Sequence, residues 1–328
     1  MSKAVRPWLL IACGVLFHLN ASACTKPVFR YALERWPASP CLLTVLHKGP
    51  VDAAGKARID ALCPEDAYNW NVQFIDVTGD LPEGPVRDKW QSDPDPGRLP
   101  MGLLQLPPSR GTASGVVWEG KLDSAGSDDL KRLLYAPVIR DTIRSLCKGD
   151  TAVWLLLKGP DSKANLRLRK RLETQLAALQ KDLKLPHELD PLDSTYDDLA
   201  PGIPMKLAFS IREVDASASE LGLLRNCLSA WDPELTEQSG PLIVPVFARG
   251  RALAVFMPDE LDEEVIAEVC YFLVGPCSCR VKDLNPGFDL VMPFPWDRAL
   301  WDDAFALDAV LKGLAPVAAK PVQGRGPE

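Results

Sequence analysis

One order of elements is written twice along this chain, and both times its first strand ends in the same corner. In the first copy the apolar run "CLLTVLHKGP" reads as a buried strand closed by Lys48-Gly49-Pro50; in the second, "AVWLLLKGP" closes on Lys158-Gly159-Pro160. A helical lead-in, "VFRYALERW", precedes the first copy. Behind its corner come a helical stretch from Ala53 to Leu62, the strand "NVQFIDVT", a loop rich in Pro and Asp up to Pro100, the strands "MGLLQLP" and "GVVWEGKL" joined by "PSRGTAS", and a helix over 128–147 with Pro137 near its middle. Behind the second come a helix over 162–184, a loop over 186–204, the strand "MKLAFSIREV", a helix over 218–230, a hairpin "LIVPVFARGRALAVFM" and a last helix from Asp262 to Val274. Leu172, Leu176, Leu179 and Leu183 give the long helix one apolar face.

Each half therefore reads β-α-β followed by β-β-α, and the shared Lys-Gly-Pro corner marks an internal duplication. A parallel strand pair with a crossover helix, joined to an antiparallel hairpin, makes a mixed sheet flanked by helices. The competing arrangement is one larger α/β sheet built from both halves. The element order resembles the thioredoxin fold, as does the strand-turn-strand around "FARGR", and Pro100 and Pro241 fall where that fold carries a cis-proline before its third strand. The resemblance implies an α/β chain of two tandem thioredoxin-like domains, 24–150 and 151–314; residues 315–328, "APVAAKPVQGRGPE", lack any apolar period and read as a disordered tail. In redox-active members of that fold a Cys-x-x-Cys follows the first strand, where the helix dipole stabilises a thiolate. Here those corners read "HKGPVDAAGK" and "LKGPDSKANL", without cysteine, so the usual redox motif is lost.

The first 23 residues read as an export signal: Lys3 and Arg6, an apolar stretch from Trp8 to Leu19, and the small-residue site Ala21-Ser22-Ala23. The apolar core is too short for a comfortable membrane span. Cleavage after Ala23 makes Cys24 the first mature residue, the position of lipid attachment in a lipoprotein. The match lacks the Leu usual three residues earlier, and ordinary signal-peptidase cleavage fits the same site. Either route leads to an oxidising compartment, the periplasm or cell envelope, where the eight cysteines left after Cys13 departs are expected to form disulfides or, if Cys24 is lipidated, to leave one thiol over.

"CTKPVFRYALERWPASP", "PVFARGRAL" and "GPCSCRVKDLNPG" resemble exported proteins of planctomycete-type bacteria, which implies an envelope protein and adds no chemistry. Loss of Lys3 and Arg6 takes the formal net charge from −7 to −9, against nucleic acid as a partner; "RLRKR" (167–171) reads as the solvated face of its helix.

The strongest chemical candidate is the pair Cys277 and Cys279. Gly275 and Pro276 end the preceding helix, so both thiols follow a helix C-terminus, where the dipole disfavours a thiolate. A bond across one intervening residue would be strained and therefore oxidising, which makes the pair the redox alternative. The structural reading has each cysteine bonded elsewhere or packed. No metal or cofactor is expected: Cys-x-Cys lacks a second ligand pair, only His47 and His187 remain after the signal, and Cys270 shares its helix's apolar side with Val265, Ile266, Val269 and Leu273. Neither histidine sits in a hydrolase motif. Asp259, Glu260, Asp262, Glu263 and Glu264 suit a helix N-terminus, and "SDPDPG" lacks the spacing of a calcium loop. "PFPWDRALWDDAF", with Trp296 and Trp301, reads as a closing helix on the second domain. The resulting expectation is a non-catalytic protein that binds an envelope protein or small ligand at its hairpin edges and two Lys-Gly-Pro corners, touching the membrane only through a lipid on Cys24.

Overall fold

Two separate mixed sheets organise the computed structural model, which describes residues 26–106, 115–185, 199–215, 218–237, 240–277 and 281–315. A helix α1 (Val28–Arg35) leads into β1 (Cys41–His47), α2 (Ala53–Asp60), β2 (Trp70–Asp76), α3 (Pro85–Ser92), β3 (Met101–Gln105) and β4 (Val116–Lys121). After α4 (Ser124–Leu134) and α5 (Pro137–Cys147) the pattern returns as β5 (Ala152–Lys158), α6 (Ser162–Asp182), β6 (Phe209–Asp215), α7 (Gly222–Trp231), β7 (Leu242–Phe247), β8 (Arg251–Ala252) and α8 (Glu263–Val274). Then come β9 (Phe288–Asp289), α9 (Trp296–Trp301) and α10 (Leu307–Gly313).

The first sheet runs β2-β1-β3-β4 and the second β6-β5-β7-β8-β9. In each, the first strand pairs parallel with the second over seven residues and antiparallel with the third over five. The same strand order and register thus recur in both halves, and among the described residues no single larger sheet joins them.

Strand alternation divides the core into layers. From β5, Val153, Leu155 and Leu157 face inward to a core shared by both halves, while Ala152, Trp154 and Leu156 face outward. Leu43 and Val45 of β1 enter the same shared core, and Leu46 points to the opposite side with Met101, Leu103 and Val86. Between the sheets lie α2, α4, α5 and α7; α6 and α8 cover the second sheet's far face and α3 the first's.

The chain ends cross over. Val28, Phe29, Ala32 and Trp36, in and just beyond α1, are buried in the outer core of the second sheet, against α8 and β7. Pro27 bridges to Pro276, with Val28 N–H donating to Gly275 O (3.0 Å) and Cys277 N–H to Lys26 O (2.9 Å). The closing segment joins both halves. The sequence places it on the second domain, where Asp297 meets Arg249 at 2.8 Å, and it also packs on the first half: Tyr135 Oη donates to Pro293 O (3.0 Å), Asn69 Nδ2 to Met292 O (3.2 Å), and Arg144 and Lys148 hold Asp308 at 2.7 and 3.0 Å.

Other differences from the sequence reading have local causes. The helix expected over 128–147 is two helices, because Pro137 forces Ala136 into extended backbone (ψ 149°) and itself starts α5. The strand expected from Met205 begins at Phe209. The "FARGR" hairpin is not a surface: Phe247 to Arg251 are all buried and β9 covers the β8 edge. Gly250 has φ +87°, and a Cβ there would stand 2.7 Å from Met292 Sδ. Arg249 donates to the terminal carbonyls of α1, Leu33 O (2.8 Å) and Glu34 O (3.2 Å), and Arg251 to Asn285 O, Pro286 O and Asp289. The Leu99–Pro100 bond is cis; the bond before Pro241 is not.

Arg30 is the polar centre of the α1 junction. Fully buried, its Nε meets Glu34 Oε1 at 2.6 Å, and its guanidinium donates to Ala200 O and Ile203 O at 2.9 Å each. Glu34 Oε1 also accepts the Ala200 N–H (2.9 Å). Arg30→Ala strands a buried carboxylate and two carbonyls. We expect a loss of about 3–5 kcal/mol in urea unfolding, with Arg30→Ala/Glu34→Ala less destabilised than the two singles added together.

Candidate functional site

The second Lys-Gly-Pro corner, unlike the first, is built into a wall. At the first, Gly49 (φ +69°) has nothing within 4 Å of a Cβ position, its N–H donates to the Asp76 carboxylate (3.2 Å), and its carbonyl lies 2.7 Å from His47 Nδ1. Hydrogen bonds from Thr78 hold Asp76 below its ordinary range. At the second, a Cβ on Gly159 would fall 2.7 Å from Pro241 N and 2.8 Å from Gly240 C, so only glycine fits beneath the entry to β7.

Asn165, buried on the first turn of α6, fastens that corner: its Oδ1 accepts the Gly159 N–H (3.0 Å) and its Nδ2 donates to Gly159 O (2.8 Å). Asp161 caps α6 by accepting from Lys163 and Ala164 N–H. Parallel pairing sets Lys158 beside Asp215 at the ends of β5 and β6. With α6 on one side and α7 on the other, these ends enclose a cleft of about 1090 Å³. Its floor is apolar, from Leu157, Leu228, Leu235 and Leu242, and its walls carry Lys158, Arg169 and Arg225 against Glu213 and Asp215. The exposed Leu166 stands on its α6 wall. Gly159→Ala is expected to cost about 1–3 kcal/mol and to reshape the cleft, because the opposing atoms are backbone; thermal unfolding checks it, with Gly49→Ala as the comparison.

The thiols lie elsewhere. No disulfide joins any of the described cysteines, which corrects the expectation of a disulfide-bonded chain. Cys41, Cys63, Cys147, Cys227, Cys270 and Cys277 are all buried. Burial pushes the Cys63, Cys147, Cys227 and Cys270 thiols up to about 12 and Cys41 further still; Cys63 Sγ lies 3.1 Å from Tyr135 Oη, whose one proton is directed to Pro293 O. Cys277, 2% exposed, packs behind α8 in the outer core of the second sheet. Cys279, Cys24, His187, the export signal and residues 316–328 lie outside the described residues. Among the described residues, no three His, Cys, Asp or Glu side chains group as a metal site requires, and no helix is long and apolar enough to cross a membrane. Asp262 caps α8 by accepting the Val265 N–H, and Glu260 accepts the Met257 N–H, so this acidic run is engaged locally.

The sequence pointed to the corners but not to the α7 wall, which reaches the site through tertiary packing. Comparison with protein-family models, with curated proteins and with solved structures returns no match.

Proposed function

We propose that this is an exported envelope protein, built on two thioredoxin-like units without the redox motif, that binds a ligand in the cleft at its second Lys-Gly-Pro corner and does no chemistry on it. The thioredoxin-like reading is supported by the strand order shared by both sheets, with the first strand parallel to the second and antiparallel to the third. Export is supported by the N-terminal pattern ending at Cys24, which also offers a lipid anchor. The observation that carries the binding reading is the cleft itself, a concave site with an apolar floor and a few placed polar groups. Thiol-disulfide exchange by Cys277 and Cys279 is undercut by the burial of Cys277 and by the lack of any disulfide among the described cysteines.

A thermal-shift screen of small molecules and short peptides, run on the wild type and on Ser229→Trp, tests the binding reading. The indole is placed to fill the cleft from α7. Binding compounds raise the wild-type Tm in proportion to saturation and leave the variant's unchanged. A screen without binders, or binders that shift both proteins equally, rejects the cleft as the site.

A further inference from the structure

The polar groups of the cleft divide into those engaged within the protein and those left over. Arg169 is held by Glu173 and Glu213, each at 2.8 Å, and thereby neutralises Glu213. Asn165 is tied to Gly159, and Asn226 donates to Val117 O of the first sheet at 2.7 Å. Asp215 and Arg225 are engaged as well. Lys158, Ser162 and Ser229 remain, and none of their side chains makes a hydrogen bond or ion pair with another described residue. The remainder is one ammonium and two hydroxyls, a donor set, above four leucines.

Resting on the binding reading above, we propose that the cleft takes an apolar group ending in a carboxylate, with Lys158 as its counter-ion. With Arg169 matched by Glu173 and Glu213, and Asp215 and Arg225 both engaged, Lys158 is the one cation of the lining without a hydrogen-bond or ion-pair partner among the described residues. A monoanion balances that single charge. A phosphate monoester, with close to two charges, would leave its second facing Glu213 and Asp215. The leucine floor accepts the apolar body, and the volume admits one about the size of a dipeptide or a medium-chain acyl group. Both a peptide C-terminus and a free alkanoate have this chemistry.

Calorimetric titration of the chain with octanoate, octanamide, N-acetyl-Leu-Leu and N-acetyl-Leu-Leu-amide tests it. At least one acid is expected to bind about tenfold or more tighter than its amide, and whichever acid does so identifies the source. Lys158→Gln should bring that acid down to its amide's affinity, while Lys158→Arg keeps the preference; circular dichroism verifies that both variants fold. If acid and amide bind equally to the wild type, and Ser229→Trp abolishes both, the carboxylate assignment falls while the cleft survives as a site. A preference that persists in Lys158→Gln also overturns the assignment. No saturable binding by any of the four, or equal binding to Ser229→Trp, removes the assignment and the site together.

Discussion

Expressed alone, residues 151–314 will not reach a cooperative native state. Without α1, the second sheet loses Val28, Phe29, Ala32 and Trp36 from its outer core, together with the carbonyls that Arg249 satisfies. Three of those side chains are large, and each fully buried one contributes about 1.5–3 kcal/mol. Their summed loss rivals the whole stability of an ordinary domain, about 5–15 kcal/mol. Residues 24–150 should fail for the converse reason, since Tyr135, Asn69 and Arg144 would lose their partners in the closing segment. The expected observation is a sharp urea transition for 26–315 and a broad or absent one for each fragment. Adding residues 26–36 to the front of 151–314 should restore much of the transition; an unaided, cooperative 151–314 would refute the crossover as an energetic feature.

The second large effect is alkaline unfolding. Four buried thiols, on Cys63, Cys147, Cys227 and Cys270, are pushed from 9.0 to about 12, so the folded protein keeps protons that the unfolded chain releases above pH 9. Stability is then fully present below pH 9 and falls as the pH climbs from 9 toward 12. Each thiol is worth on the order of 1 kcal/mol per pH unit in that window, and Cys41 and the buried Tyr135 phenol act in the same direction. Urea midpoints should stay nearly level from pH 8 to 9 and drop steeply at pH 10 and 11, and Cys63→Ala should flatten that slope by one thiol's share. A midpoint independent of pH would show that these thiols ionise in the folded state. The same burial shields these thiols from thiol reagents in the native protein and would keep them from oxidation in an oxidising compartment.

What could be read from the sequence was whatever repeats locally. The two corners, the 4-3-4 leucine face of α6 and the apolar strands announced themselves because periodicity and Gly-Pro punctuation are short-range signals. Helix α3 was hidden because only Val86 and Trp90 mark its buried side, although Gly84-Pro85 is a start signal. Strands β8 and β9 are two residues each, too short to carry an alternation. The export signal and the oxidising compartment it implies suggested disulfides, but a cysteine count cannot separate paired thiols from packed ones. The cleft was half legible: Lys158 and Gly159 stand in the corner motif, whereas Ser229 and Leu228 arrive from α7, about 70 residues later.

The crossed ends also set the order in which this chain can mature. Its first helix emerges from the ribosome before any of its partners, and α8 follows more than 220 residues later. Contacts that distant in sequence form late, and domain-by-domain folding from the N-terminus is unavailable when the first half lacks its closing segment. A chain still being made therefore has no finished half to lock into place. On the export route proposed above, passage through a translocation pore would demand an unfolded polypeptide, and delaying closure until both ends are present would keep the chain threadable for the whole of its synthesis.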